Sequence, residues 1–410
     1  MRSYYRPILI LLLLPFCVGA SPGTDDKNPP PPSNPPAWEF MGRGINLKKE
    51  AKFSYVDASP HGFAPVVAST PDTVYVAYSE FNIRGITEIR VKHWLKDAWS
   101  RKYVVLNKDG TLNAYDPTTA VLNETPYVAW TEKNNDGIPQ LQMTYRSPVG
   151  WIPSKGSRNV NPKVRASSPV MAAGPDRILL TWTEGAENAV QKLYLREILP
   201  DRVGDASEPL NKEASRDVYE PSIAVDGKTA YLAWAERDMF SRMQIYVRRI
   251  EDGASAMLGD TVNINGNAHA VSPSIAVYKG TPYVTWVEFD EGGISQVFIK
   301  HWEKNRWVTN GRSMNADPTH DALSPKLIAG KDSLFLAWSE LADDKTPRVH
   351  VRRLKDQNWS SAAPDLPPDS SHMAATPALT FDRGNLLVAW KQDNPMGVFE
   401  IHVGRLKDSP

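Results

Sequence analysis

The chain has 410 residues, with 47 Lys and Arg balancing 47 Asp and Glu, so nothing in its charge suggests a nucleic-acid partner, which needs a basic stripe. Cys17 is the single cysteine, which excludes a disulfide framework and a Cys-based zinc site. The 13 tryptophans sit mostly at recurring positions, so core packing is their first reading.

Residues 1–20 read as a signal peptide. Arg2 and Arg6 precede an apolar run from Ile8 to Val18, and Val18-Gly19-Ala20 is a small-residue cleavage pattern. The run is too short to span a bilayer core of roughly 30 Å as a helix. We expect cleavage after Ala20, hence an exported protein that is periplasmic, cell-surface or secreted, with no transmembrane helix in its mature form. Leu14-Pro15-Phe16-Cys17 offers a lipid anchor at Cys17 as the alternative, although Phe16 is large for the position before a lipidated cysteine. Residues 21–37 form a proline-rich linker. Pro29 to Pro32 and Pro35-Pro36 favour an extended segment with no core of its own, either a spacer or a disordered terminus.

From residue 38 onward the chain repeats every 52 residues. The aromatic that closes an apolar run recurs at Tyr78, Trp130, Trp182, Trp234, Trp286, Trp338 and Trp390. A proline recurs at Pro65, Pro117, Pro169, Pro221, Pro273, Pro325 and Pro377. An apolar residue follows the same interval at Ile89, Leu141, Leu193, Ile245, Val297, Val349 and Ile401. Such a period marks a solenoid, propeller or array. In the fourth unit, Pro221–Val225 reads as strand A, Asp226-Gly227-Lys228 as a turn, Ala230–Glu236 as strand B and Met243–Ile250 as strand C. Strand D begins elsewhere at Trp99, Trp151, Trp307 or Trp359 and ends near Asn107, Asn159, Asn211, Asn263 or Asn315. Strand B is apolar on both faces, which suits a sheet sandwiched between two others. A unit of 52 residues with four strands is too small for an immunoglobulin-like domain of about 100 residues. The expected fold is all-β: a seven-bladed β-propeller over 38–410, with four-stranded blades.

The seventh unit stops after strand C. Trp38–Asn46 (WEFMGRGIN) has the same Trp-to-Asn separation as Trp307–Asn315 (WVTNGRSMN). The N-terminal strand 38–46 is therefore expected to pair into the last blade and close the ring.

The blades resemble those of bacterial secreted β-propellers that read P-x-φ-A, Y-V-A-W-x-E, φ-Y-V-R-R, W and L-N in order. Here these are Pro221, Trp234, Glu236 and Arg248, or Pro117, Trp130, Glu132, Trp151 and Asn159. They are distantly similar to the sialidase superfamily and to the fucose-specific lectins. The lectin resemblance implies sugars held between blades by Arg, Glu and Trp. The sialidase resemblance implies glycoside hydrolysis, yet the Asp-box and the Arg-Ile-Pro motif are missing, and no nucleophile, acid and arginine cluster can be assembled.

Two residues after the strand-B aromatic stands a carboxylate: Glu80, Glu132, Glu184, Glu236, Glu288 and Glu340, with Gln392 in the seventh unit. Repetition favours a structural role for these over a ligand role. Residues that break the symmetry are better ligand candidates. Four residues before each strand-A proline stand His61, Asn113, Arg165, Asp217, His269, Asp321 and Met373, and His320 and His372 lie one residue earlier in their loops. Of these, His61, Arg165, Asp217, His269, His320, Asp321 and His372 are the candidate ligand-binding residues. All belong to the loops joining D to A, which should share one face with the B–C loops. No H-x-H or H-E-x-x-H spacing supports a metal, and we expect no cofactor. Asn134-Asn135-Asp136-Gly137 lacks the acidic flanks of a calcium loop and reads as a turn. The strand-C arginines Arg146, Arg196, Arg248, Arg249, Arg352, Arg353 and Arg405 read as packed stems with heads in water. The functional expectation is a monomeric, non-catalytic binding module for a glycan or protein, at the loop face or between blades. A sialidase-like glycoside hydrolase and an envelope assembly scaffold are the alternatives.

Overall fold

The computed structural model describes residues 37–42, 44–45, 64–309, 311–368, 371–395 and 398–407. The expected signal peptide, most of the linker, Asn46 and His61 lie outside them. The described residues form seven antiparallel sheets and no helix. In the fourth blade, strands A to D are Val218–Asp226, Thr229–Arg237, Met243–Glu251 and Ala254–Met257, paired in that order. Hydrogen bonds between successive A strands place these at the centre of the ring, with D outermost. The chain is a seven-bladed β-propeller.

Strand A is longer than the sequence suggests, because pairing continues past the proline. Val218 and Tyr219 pair with Glu236 and Ala235, the register slips, and Ser222 resumes opposite Ala233. The slip is a β-bulge built on the recurrent proline, which has no N–H to donate. The residue before it takes a left-handed backbone in six blades: Asp116, Ser168, Glu220, Ser272, Ser324 and Thr376, with φ between 50° and 54°. Side chains at the bulge bridge to the next blade. Glu220 Oε2 accepts from Ser272 N–H at 2.6 Å, and the hydroxyls of Thr118, Ser222 and Ser274 accept from the amides of Met171, Ile275 and Leu327.

Each seam between blades is one apolar cluster. The six repeat tryptophans from Trp130 to Trp390 are all fully buried. The seventh seam joins the ends: Val74, Val76 and Tyr78 of the first blade pack with Leu387, Ala389, Ile401 and Val403 of the last, and with Met41 and Ile45. Ala37–Phe40 is the outermost strand of the last sheet. Its register matches the other D strands, since Trp38 pairs with Leu406 as Trp359 pairs with Leu354 and Trp99 with Trp94. The N-terminal strand thus supplies the piece the seventh unit lacks.

Gly404 explains how Trp38 fits. At this strand-C position, Arg196, Arg248, Lys300 and Arg352 hold their cationic heads 5.3–5.9 Å from the centres of Trp182, Trp234, Trp286 and Trp338. These heads therefore lie on indole faces rather than out in water, because a desolvated cation gains from the negative face of an aromatic ring. In the last blade a Cβ on Gly404 would lie 3.3 Å from both Trp38 and Trp390. Trp38 occupies the place of the cation, and its Nε1 donates to Pro364 O at 2.8 Å.

Candidate functional site

The loop face is held by repeated polar clamps. The Glu236 carboxylate is buried and accepts three N–H groups, from Lys212, Glu213 and the Trp234 indole, each at 2.8 Å. Glu132, Glu184, Glu288 and Glu340 repeat the arrangement, each taking two successive loop amides and the indole of Trp130, Trp182, Trp286 or Trp338. In each case the amides belong to the loop entering that Glu's own blade. Burial raises the pKa of Glu236, and the three donors oppose that rise. In the last blade Gln392 accepts from Trp390 Nε1 at 3.0 Å.

The first blade departs from this pattern. Tyr78 has no indole N–H, and Glu80 instead pairs with Arg90 at 2.5 Å. Arg90 also bonds Glu88 and lies 4.3 Å from the centre of Tyr103. Burial, with Glu80 beside it, pushes the Tyr78 phenol well above its ordinary pKa, so it stays neutral. The recurrent asparagines bind outer strands to inner ones. Asn211 accepts from Leu193 N–H and donates to Gln191 O and Arg216 O, and Asn107, Asn159, Asn263 and Asn315 take the matching strand-C amides.

The candidate ligand residues are distributed among such contacts. Asp217, His269 and Asp321 each accept an amide at the start of strand C of the preceding blade, from Gln191 just before it, Met243 and Ser295. Asn113 does the same for Thr87. His320 Nε2 lies 3.0 Å from Asp343, and His372 Nδ1 lies 3.6 Å from Asp393. Arg165 is exposed at the start of its strand. Among the described residues no three His, Cys, Asp or Glu gather as a metal site. Asn134 accepts from Asp136 and Ile138 N–H, the geometry of a hairpin turn. Asp217 and Tyr219 line a shallow hollow of about 330 Å³ with Asn188 to Gln191.

A larger groove, about 580 Å³, opens between the fourth and fifth blades on the opposite face. Its walls are Tyr231, Arg249, Met257–Gly259, Gly280–Pro282, Trp302 and Asn305. Sequence reading missed it, because these residues sit at strand ends. Trp302 is fixed by an edge-on contact with Trp307, ring centres 5.2 Å apart. Trp307 Nε1 donates to Leu258 O of the neighbouring blade at 2.7 Å. Gly259 has φ of 72°, and a Cβ there would lie 3.3 Å from the Trp302 ring, so only glycine lets the indole lie this close. The Arg249 head is exposed and paired with Glu251. A signal was present in the sequence: the Trp302, Trp307 and Gly259 set recurs as Trp94, Trp99 and Gly42, where Trp99 Nε1 likewise donates to Met41 O.

No family model matches the chain, and no curated protein matches its sequence. Among solved structures it is similar to the polysaccharide lyase Uly1, with a TM-score of 0.59 and 10% identity over 89% of this chain and 94% of that one. It is also similar to the β-propeller domain of the Trilobed protease from Pyrococcus furiosus, described as having an open velcro topology. There the TM-score is 0.50 and the identity 9%, over 84% and 99% of the two chains. A mutant Trypanosoma rangeli sialidase with trans-sialidase activity aligns with a TM-score of 0.47 and 10% identity, over 90% and 57%. What is shared is the fold. A propeller carries many activities, so function must be argued from the site.

Proposed function

We propose that this chain is an exported, non-catalytic binding propeller, with 1–20 removed as a leader and 21–37 acting as a tether, and that it takes a saccharide in the groove between the fourth and fifth blades. The observation that carries this reading is the fixed Trp302 indole facing a groove that also presents Arg249 and Asn305. A sugar ring has an apolar C–H face that lies well on an indole, and hydroxyls that accept from a guanidinium and pair with an amide. The volume falls within the range of small-ligand sites and suits one or two sugar units. None of the groove-lining residues is an Asp or Glu, whereas glycoside hydrolysis ordinarily uses a pair of them. Five of the repeated carboxylates are each consumed by three N–H donors.

The test is a glycan array followed by calorimetric titration of the best saccharide. Arg249→Ala should weaken binding about tenfold, or about 1.4 kcal/mol, with an unchanged melting temperature because its head is exposed. Equal affinity in parent and variant, or turnover of a fluorogenic glycoside, would argue against the proposal.

A further inference from the structure

We propose a second site at the seam between the second and third blades, in which Arg158 and Arg196 form a seat for a carboxylate, sulfate or phosphate group. The argument begins with an equivalence of position. In each blade one residue near the end of the outer strand donates its N–H to strand C: Ile45 to Ile401, Leu106 to Ile89, Arg158 to Leu141, Leu210 to Leu193, Val262 to Ile245, Met314 to Val297 and Leu366 to Val349. Six of the seven are apolar and packed into the seam with the next blade; Ile45, Val262, Met314 and Leu366 are at most 2% exposed. The second blade alone places a guanidinium there.

The next blade presents another guanidinium to the same seam. Arg196 is held 5.4 Å from the centre of Trp182, the indole that the apolar residue would have covered. Two of the three corresponding cations bond across the seam; the third, Arg248, donates to Ser255 Oγ in its own blade, and its Nε is buried without a partner. Lys300 donates to Val262 O and Asn263 O, and Arg352 donates to Asn315 O. Arg196 makes no such bond. The Nε atoms of both Arg158 and Arg196 are buried without a hydrogen-bond partner. Among the described residues neither guanidinium forms an ion pair. Glu184 is taken up by three N–H donors, and Asp205 stands nearby without reaching either. The flanking stretch from Trp151 to Pro175 contains Lys155, Lys163 and Arg165 and no acidic residue, and the carboxylates that act on Arg196 are Asp205 and Glu184 of the third blade.

Two half-buried like charges beside one another cost stability unless an anion lies between them. Consistent with this, burial lowers the pKa of both arginines, and Arg158 lowers that of Arg196 further. A guanidinium presents paired N–H donors that match the oxygens of a carboxylate, sulfate or phosphate, and the stacked Arg196 is already oriented.

The experiment is thermal melting of the full protein with sulfate, phosphate or glucuronate, against glucose and against chloride at equal ionic strength. The parent should be stabilised by at least one of the anions and not by glucose or chloride. Arg158→Leu, which restores the residue type of the other blades, should melt higher than the parent without the anion and lose the response. Arg158→Gln should also lose the response, by at least about tenfold in apparent affinity. Arg84→Leu, on the exposed B–C loop of the first blade, should keep it, and so should Arg249→Ala, which separates this site from the saccharide groove. A stronger response to glucuronate would mark a saccharide carboxylate, and a stronger response to sulfate or phosphate would mark an ester. Failure of every anion to exceed chloride, or equal responses in Arg158→Leu and Arg84→Leu, would overturn the proposal.

Discussion

Replacing Glu236 by Gln removes one oxygen from a buried clamp and puts an NH2 group in its place. If the amine takes the Oε1 position it faces the Glu213 N–H; in the Oε2 position it faces both the Lys212 N–H and the Trp234 indole. Either way at least one buried donor meets a donor, and the remaining bonds lose charge assistance. An unsatisfied buried group costs about 1–3 kcal/mol, and with the weakened bonds the total is about 2–4 kcal/mol. The lower end is favoured, because burial already raises the Glu236 pKa and Gln is spared the cost of carrying a charge there. Unfolding entropy of about 2 cal/mol/K per residue over the ring converts this to a fall in melting temperature of about 3–5 °C. Differential scanning calorimetry measures it directly. A melting temperature within about 1 °C of the parent would refute the idea that these carboxylates anchor the loops.

Gly404→Arg should lower the melting temperature even though it restores the residue type of Arg196, Arg248 and Arg352, because Trp38 already covers Trp390; a stabilised variant would contradict this packing. Acidification should loosen the last blade. His402 stacks on Trp390 at 5.7 Å, and burial lowers its pKa against the opposing pull of Glu400. A depressed histidine contributes stability above its ordinary pKa of about 6.5 and loses that contribution as pH falls through that value and the lower folded one. His402→Tyr, the residue type of Tyr194 and Tyr246 in the same register, should flatten the fall in melting temperature on acidification; an unchanged slope would remove His402 as a cause.

Seven repeats at a constant interval made the blade count, strand order and ring closure legible, because packing between identical neighbours demands the same residue at the same place. The bulge before each proline was hidden, since a left-handed Asp116 or Ser168 before proline runs against local preference and is held by the ladder around it. The histidine and aspartate candidates were drawn from the irregular positions of one loop. Among the described residues their contacts are local, and Asp217, Asn113, His269 and Asp321 do one job with different side chains. The groove at Trp302 depends on Gly259 from the neighbouring blade, a contact between positions that no single repeat contains. Arg158 was visible as a polar interruption only once the hydrogen bonds of the outer strands fixed which residues correspond.

Hydrogen exchange of the peptide containing residues 38–45 tests ring closure most directly. The account predicts that the Met41 and Ile45 amides, bonded to Val403 O and Ile401 O, are protected as strongly as the Leu258 and Val262 amides of the fourth blade. Exchange at the rate of an unstructured peptide, while 254–262 stays protected, would contradict it.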